Sequence, residues 1–229
     1  MIKHLACVMD GNRRWATQQG LAAVLGHKKG TDSVKQATEF CIKNNISYLT
    51  LYTFSIENFK RSEEEKNYLF DLIIKEAQEG LAEFLSHKIR VRFVGDRSLF
   101  PAHVLALCQE IEEKTAHLTT LTLNFLFCYG GQQEIVSAVQ KIAQQVLDNT
   151  LKIQDITKDI VTNNLWLGDI PEPELIIRTG GVKRLSNFLL YQAAYSELYF
   201  VDTYWPDMTY AHFEKALEDF MLRKRNFGA

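Results

Sequence analysis

The chain lacks the short signatures that identify many enzymes of its size. It contains no G-x-x-x-x-G-K-[S/T] loop, which excludes an ordinary P-loop nucleotide enzyme, and no G-x-G-x-x-G after its first apolar run. A G-x-S-x-G nucleophile elbow is also absent, so hydrolysis by an exposed serine has no support. The 4 cysteines, Cys7, Cys41, Cys108 and Cys128, form no C-x-x-C and have no histidines at zinc-like spacing. They are expected to be reduced and buried. No apolar run approaches the roughly 20 residues that a membrane-spanning helix needs. The first residues resemble neither a secretory signal nor a transit peptide, so the expected location is cytoplasmic, with membrane contact at most peripheral. A net charge of −2 leaves no excess for a broad basic face, which argues against nucleic acid as a partner.

What is present is an ordinary globular composition, 46% hydrophobic and 24% charged with only 4 prolines, without repeats or a linker. One domain over residues 1–229 is expected. Six β-rich runs stand out: "HLACVMD", "ISYLTLYTFS", "IRVRFVGD", "LTLNFLFCYGG", "ELIIRTGG" and "ELYFVDTYW". Helical patterns separate them, near 33–44, 62–87, 101–117, 132–148, 155–166 and 209–223. The alternation predicts an α/β fold with a central, mostly parallel six-stranded sheet covered by helices. In the 62–87 segment, Ser62 can cap and Glu65 can close a capping box. The apolar stripe Leu69, Leu72, Ile73, Ala77, Leu81, Phe84 and Leu85 faces either the core or an elongated hydrophobic tunnel.

In open parallel sheets, ligands bind outside the carboxyl ends of the strands. There this chain places Asp10-Gly-Asn-Arg-Arg-Trp15, Ser55-Ile-Glu-Asn-Phe-Lys-Arg61, Gly95-Asp96, Tyr129-Gly-Gly131 and Arg178-Thr-Gly-Gly181, followed by Arg184-Leu-Ser-Asn187. Gly11 permits a close approach, Arg13 and Arg14 supply forked donors, and Arg61, Arg178 and Arg184 add three more cations. Together they imply a multiply charged anion, most simply a diphosphate. Asp10, an acid among cations, suits Mg²⁺, although an N-cap or an ion pair also accounts for it. Trp15 serves a ligand or the core, and His27 in "GHKKG" is a phosphate ligand, a proton donor or a structural residue.

The segments "VMDGNRRWA", "GHKKG", "LTLYTFSIENFKR", "NFLFCYGG", "IIRTGGVKRLSNFLLYQAAYSELYF" and "WPD", in this order from about residue 4 to residue 228, resemble the cis-prenyltransferases. The resemblance implies a non-Rossmann, homodimeric, Mg²⁺-dependent transferase. It would condense isopentenyl diphosphate repeatedly onto farnesyl diphosphate, making each new double bond cis, to yield a long polyprenyl lipid-carrier precursor for peptidoglycan. By motif, Asp10 matches the essential aspartate and Glu197 the second acid associated with Mg²⁺. Gly11, Asn12, Arg13, Arg14, Trp15 and His27 match the allylic diphosphate site. Ser55, Ile56, Glu57, Asn58, Phe59 and Arg61 match the mobile loop, with Asn58 a candidate for assisting proton removal. Arg178, Arg184, Leu185 and Ser186 match the isopentenyl diphosphate site. Arg13 stands where many relatives have Gly, Ala23 where many have Arg, and Phe59 where Trp is common.

Further expectations follow. Residues of the stripe on helix 62–87, Ile89 and Leu121 line the product tunnel or pack in the core, with Leu121 a candidate floor. The tail "RKRNFGA" is either a frayed basic terminus or carries Arg225 to a neighbouring subunit's diphosphate site, and "SELYFVDTYW" with the following helix is expected to form the dimer surface. Two rival readings are a non-catalytic partner subunit of the same fold and a phosphoester-processing α/β enzyme.

Overall fold

The computed structural model describes residues 2–223. Arg225 lies outside the described residues. Each of the six β-rich runs becomes a strand: β1 His4–Val8, β2 Tyr48–Ser55, β3 Ile89–Val94, β4 Leu121–Tyr129, β5 Leu175–Arg178 and β6 Glu197–Phe200. They form one sheet in the order β3-β4-β2-β1-β5-β6, and every pairing is parallel. That order differs from the dinucleotide-binding 3-2-1-4-5-6 arrangement. The chain leaves β1 for β2 on one side and returns to β5 on the other. This switch opens a crevice at the carboxyl end of β1, where Asp10 stands.

Alternation along the strands divides the core between the two faces of the sheet. Leu5 and Cys7 of β1, with Leu175 and Ile177 of β5, join one cluster; Ala6, Val8 and Ile176 join the other. The first face carries α2 Ala23–Lys43, α3 Glu63–Glu79, α5 Ala102–Thr115 and α8 Tyr210–Leu222. The remaining helices are α1 Asn12–Gln18, α4 Leu81–Ser86, α6 Gly131–Leu147 and α7 Lys158–Asn164. All four cysteines are buried and free.

Three elements depart from the sequence reading. The first loop is not only a loop, because Asn12–Gln18 winds into α1. Helix α2 starts at Ala23 rather than 33, because Gly26 and Gly30 lie inside it as contact points for neighbours. A Cβ on Gly26 would sit 2.0 Å from the Asn12 carbonyl oxygen, and one on Gly30 2.9 Å from the Trp205 ring. The expected helix 62–87 is two helices, α3 and α4, that meet at Gly80. Ser62 does cap α3, accepting from the Glu65 amide at 3.3 Å. The Glu65 carboxylate does not close the box; it pairs with Arg61 at 3.1 Å and lies 3.9 Å from Arg13.

Candidate active site

Asp10 follows β1 directly, and its backbone is fixed before its carboxylate acts. The Asp10 amide donates to the Thr179 hydroxyl at 2.9 Å, and that hydroxyl donates back to the Asp10 carbonyl at 2.7 Å. The next residue, Gly11, has φ 105°, and a Cβ there would strike the Tyr204 ring at 2.5 Å. Only glycine joins β1 to α1 in this way. Arg14 donates to one carboxylate oxygen of Asp10 at 3.1 Å and Arg178 to the other at 2.9 Å. Arg14 also reaches the Gly180 carbonyl at 2.8 Å and lies over the Tyr204 ring.

Arg178 closes β5 and is 5% exposed. One of its Nη atoms donates to the Ser186 hydroxyl at 2.8 Å and to the Arg184 carbonyl, while its Nε is buried without a partner. Arg184 Nε joins the same Ser186 hydroxyl at 3.3 Å. Asp10, Arg14, Arg178, Arg184 and Ser186 are therefore one hydrogen-bonded group spanning the ends of two adjacent strands.

A second group faces it from α1, α2 and the start of α3. Burial, followed by the charges of Arg61 and Arg13, lowers the pKa of His27 to about 4, so its imidazole is neutral near pH 7. Its Nε2 is buried with no hydrogen-bond partner, as is Oδ1 of Asn12. Burial also lowers the pKa of Arg61, and the Arg13 charge adds to the shift. Cations crowded beside a neutral histidine with an orphaned ring nitrogen form a site short of negative charge.

Both groups stand at the head of a cavity of about 710 Å³. Among the expected site residues it is lined by Asp10, Asn12, His27 and Arg61, by Ser55, Glu57 and Asn58, and by Arg178, Arg184 and Ser186. Away from the charges the walls turn apolar, with Val34 on α2, Leu69, Leu72, Ile73 and Ala77 on α3, Phe84 on α4, and Ile89 and Phe125 on the sheet. Asn58 closes the 3-10 turn Ile56–Lys60, its Oδ1 accepting from the Ser55 amide at 3.1 Å. Its oxygen is thus occupied.

Several expected residues do not line the cavity. Gly11, Arg13, Arg14 and Trp15 are not on the wall; Arg14 holds Asp10, and the Trp15 indole donates to Asp207 at 2.8 Å. Ile56 is off the wall, Phe59 packs edge-on against Phe54, and Leu185 packs with the second core cluster. Leu121 is fully buried beside Ile89 but is not on the cavity wall, so it is not the floor. Glu197 opens β6, at the amino end of the sheet, and its carboxylate accepts from Arg223 at 2.9 Å. Asp10 lies beyond the carboxyl end, so within one chain the two acids do not form a shared metal site.

Asn187 is a cavity residue that the sequence reading placed at the end of the sheet without giving it a role. Its backbone is left-handed at φ 64°, its Nδ2 donates to Glu57 at 2.7 Å, and its Oδ1 accepts from the Gln132 amide at 2.8 Å. An asparagine between a serine and an apolar run was a usable signal, since asparagine tolerates this backbone better than most residues.

The donor set suits one kind of metal. Among the described residues no three His, Cys, Asp or Glu side chains gather to hold an ion. Mg²⁺ commonly takes only one or two carboxylates and completes its shell with substrate phosphates and water. Asp10, partly exposed and paired with Arg178, whose Nε is buried without a partner, fits that pattern.

With this geometry in view, comparison with known proteins is consistent throughout. A family model described as putative undecaprenyl diphosphate synthase matches residues 8–228. The chain is 44% identical over 226 residues to the ditrans,polycis-undecaprenyl-diphosphate synthase, (2E,6E)-farnesyl-diphosphate specific, of Photorhabdus laumondii, covering 99% of this chain and 89% of the relative. Its fold superimposes on a probable undecaprenyl diphosphate synthase from Campylobacter jejuni with TM-score 0.84 at 35% identity, covering 100% of this chain and 99% of that one. It also superimposes on lavandulyl diphosphate synthase from Lavandula x intermedia, solved with dimethylallyl diphosphate, with TM-score 0.97 at 29% identity, covering 100% and 98%. The chain belongs to the undecaprenyl diphosphate synthase family of prenyltransferases.

Proposed function

We propose that this protein is a cis-prenyltransferase that adds isopentenyl diphosphate repeatedly to farnesyl diphosphate and makes undecaprenyl diphosphate, a lipid-carrier precursor for peptidoglycan. One observation carries the reading: a cluster short of negative charge stands at the head of a cavity whose walls become apolar. A diphosphate with a long hydrocarbon tail matches both halves.

In this account the allylic diphosphate sits between Asn12, His27 and Arg61, with its tail against α2 and α3. Isopentenyl diphosphate is held by Arg178, Arg184 and Ser186. Asp10, together with the bound phosphates, would hold Mg²⁺, which would supply positive charge beside the leaving diphosphate. Arg14 and Arg178 exchange part of their contact with Asp10 for phosphate oxygens. The allylic C–O bond breaks with its electron pair leaving on the diphosphate, the isopentenyl alkene attacks the allylic carbon, and a proton is lost to form the new double bond. An amide is too weak a base to keep that proton, so an oxygen of the released diphosphate accepts it and the Asn58 amide group orients that oxygen. Preorganised charge in a site shielded from water is effective for such a step. Burial at about 0.8 kcal/mol per CH₂ then draws the growing tail into the cavity.

The protein works as a homodimer through the β6 edge and α8. All four β6 residues are only half-buried, and Met221 and Leu222 of α8 are 69% and 85% exposed. No helix among the described residues is long and apolar enough to cross a membrane, consistent with a cytoplasmic enzyme that delivers its product to the bilayer.

The test is incubation with farnesyl diphosphate, labelled isopentenyl diphosphate and Mg²⁺, with chromatography of the products. A ladder that EDTA abolishes, and that Asp10→Ala reduces by about a hundredfold or more, is expected. Absence of any extension in the wild type would reject the function.

A further inference from the structure

We propose that the apolar part of the cavity ends at a charged rim formed by Glu76 and Glu83, and that Glu76 sets the length of the product. This inference rests on the reading of the cavity as the tunnel for the growing chain.

The wall supplied by α3 runs through Leu69, Leu72 and Ile73 at helical spacing. The next place on that face, one turn further, is Glu76, beside the small Ala77. Beyond the helix break at Gly80 the wall resumes with Glu83 and Phe84. Glu76 is half-buried and Glu83 is exposed, so the cavity meets water along this part of the wall. Lys35 of α2, also exposed, lines the same cavity. Among the described residues neither glutamate carboxylate accepts a hydrogen bond or forms an ion pair. These acids therefore do not hold α3 in place, and they interrupt a stripe that would otherwise stay greasy.

Each added isoprene unit is drawn inward as long as the next wall surface is apolar. At Glu76 the tail would have to cover a carboxylate that makes no ion pair, which is unfavourable. Past it the α4 wall offers Phe84 beside the exposed Glu83, so further methylenes gain little. From Glu63 at the head of α3 to Glu76 the helix rises roughly 20 Å, at about 1.5 Å per residue. A longer tail has to coil within the cavity, and growth stops when that space is full.

The experiment compares the product ladder of the wild type with Glu76→Leu, Glu76→Gln, Glu76→Asp and Glu83→Leu under identical substrate ratios. Circular dichroism checks that each variant is folded. Glu76→Leu is expected to move the main product longer by at least one isoprene unit, Glu76→Gln in the same direction by less, and Glu76→Asp not at all. Glu83→Leu should lengthen it to a smaller extent than Glu76→Leu. An unchanged or shortened ladder from folded Glu76→Leu overturns the proposal. If that variant fails to fold, the neutral and nearly isosteric Glu76→Gln decides it by the same criterion. A wild type that makes no polyprenyl product overturns the functional reading as well, whereas a wild-type ladder that the variants leave unmoved overturns the rim alone.

Discussion

Asp10 holds two guanidinium groups apart, and both sides of the site depend on that arrangement. Arg13 is the residue whose role is easiest to isolate, because it is exposed and off the cavity wall yet adds positive charge at His27. Arg13→Gly is expected to raise the KM for farnesyl diphosphate several-fold with little change in kcat, which steady-state kinetics would show. An unchanged KM would remove Arg13 from the substrate site. Much of this grouping was legible in the sequence, since Asp10, Arg178, Arg184 and Ser186 all lie at or after the carboxyl ends of strands that a parallel sheet brings together. Glu197 failed that logic in a readable way: it begins its strand whereas the others come at or after the ends of theirs. The role of Asn187 was missed because it depends on a left-handed backbone and on contacts with segments 130 and 54 positions away in the chain.

At the scale of elements, α3 positions the apolar wall and its own start is secured by Ser62. Ser62→Ala should cost about 1 kcal/mol in urea unfolding, as loss of an N-cap usually does. Leu121 separates packing from product length. Leu121→Ala is expected to destabilise by about 2–5 kcal/mol, because the side chain is fully buried, while leaving the product ladder where it was. A shortened or lengthened ladder from this variant would return Leu121 to the tunnel. The strands were readable because each is an apolar β-branched or aromatic run between breakers. The helices at the site were less so. Glycine commonly weakens a helix, and nothing local to "GHKKG" announces that Gly26 and Gly30 are there to admit α1 and Trp205. The same residue type breaks the helix at Gly80, so only tertiary contacts distinguish the two uses.

The whole molecule should be sensitive to acid for a reason located in two histidines. His4 is fully buried on β1, where Nδ1 donates to the Pro171 carbonyl at 2.7 Å and Nε2 accepts from Thr50 at 2.7 Å. Burial lowers its pKa to about 4, outweighing the hydrogen bond to Pro171, and His27 is lowered to about 4 as well. As pH falls below about 6.5, the unfolded chain takes up protons that the folded protein refuses, so stability is fully present above that pH and declines toward pH 4. Each histidine should contribute about 1.5 kcal/mol of loss between pH 6.5 and pH 5, since at pH 6.5 its unfolded form is already half protonated. Urea midpoints at pH 7 and pH 5 check this, and a flat response would contradict the burial of neutral imidazoles.

The central claim is that one cavity serves both a charged head and a growing apolar tail. The most direct measurement is displacement of a fluorescent farnesyl diphosphate analogue by inorganic, dimethylallyl and farnesyl diphosphate. At about 0.8 kcal/mol per buried CH₂, less the cost of ordering the tail, affinity should rise with each step and by at least tenfold from dimethylallyl to farnesyl diphosphate. Equal affinity for all three would mean that the protein recognises phosphate alone, and would contradict the account.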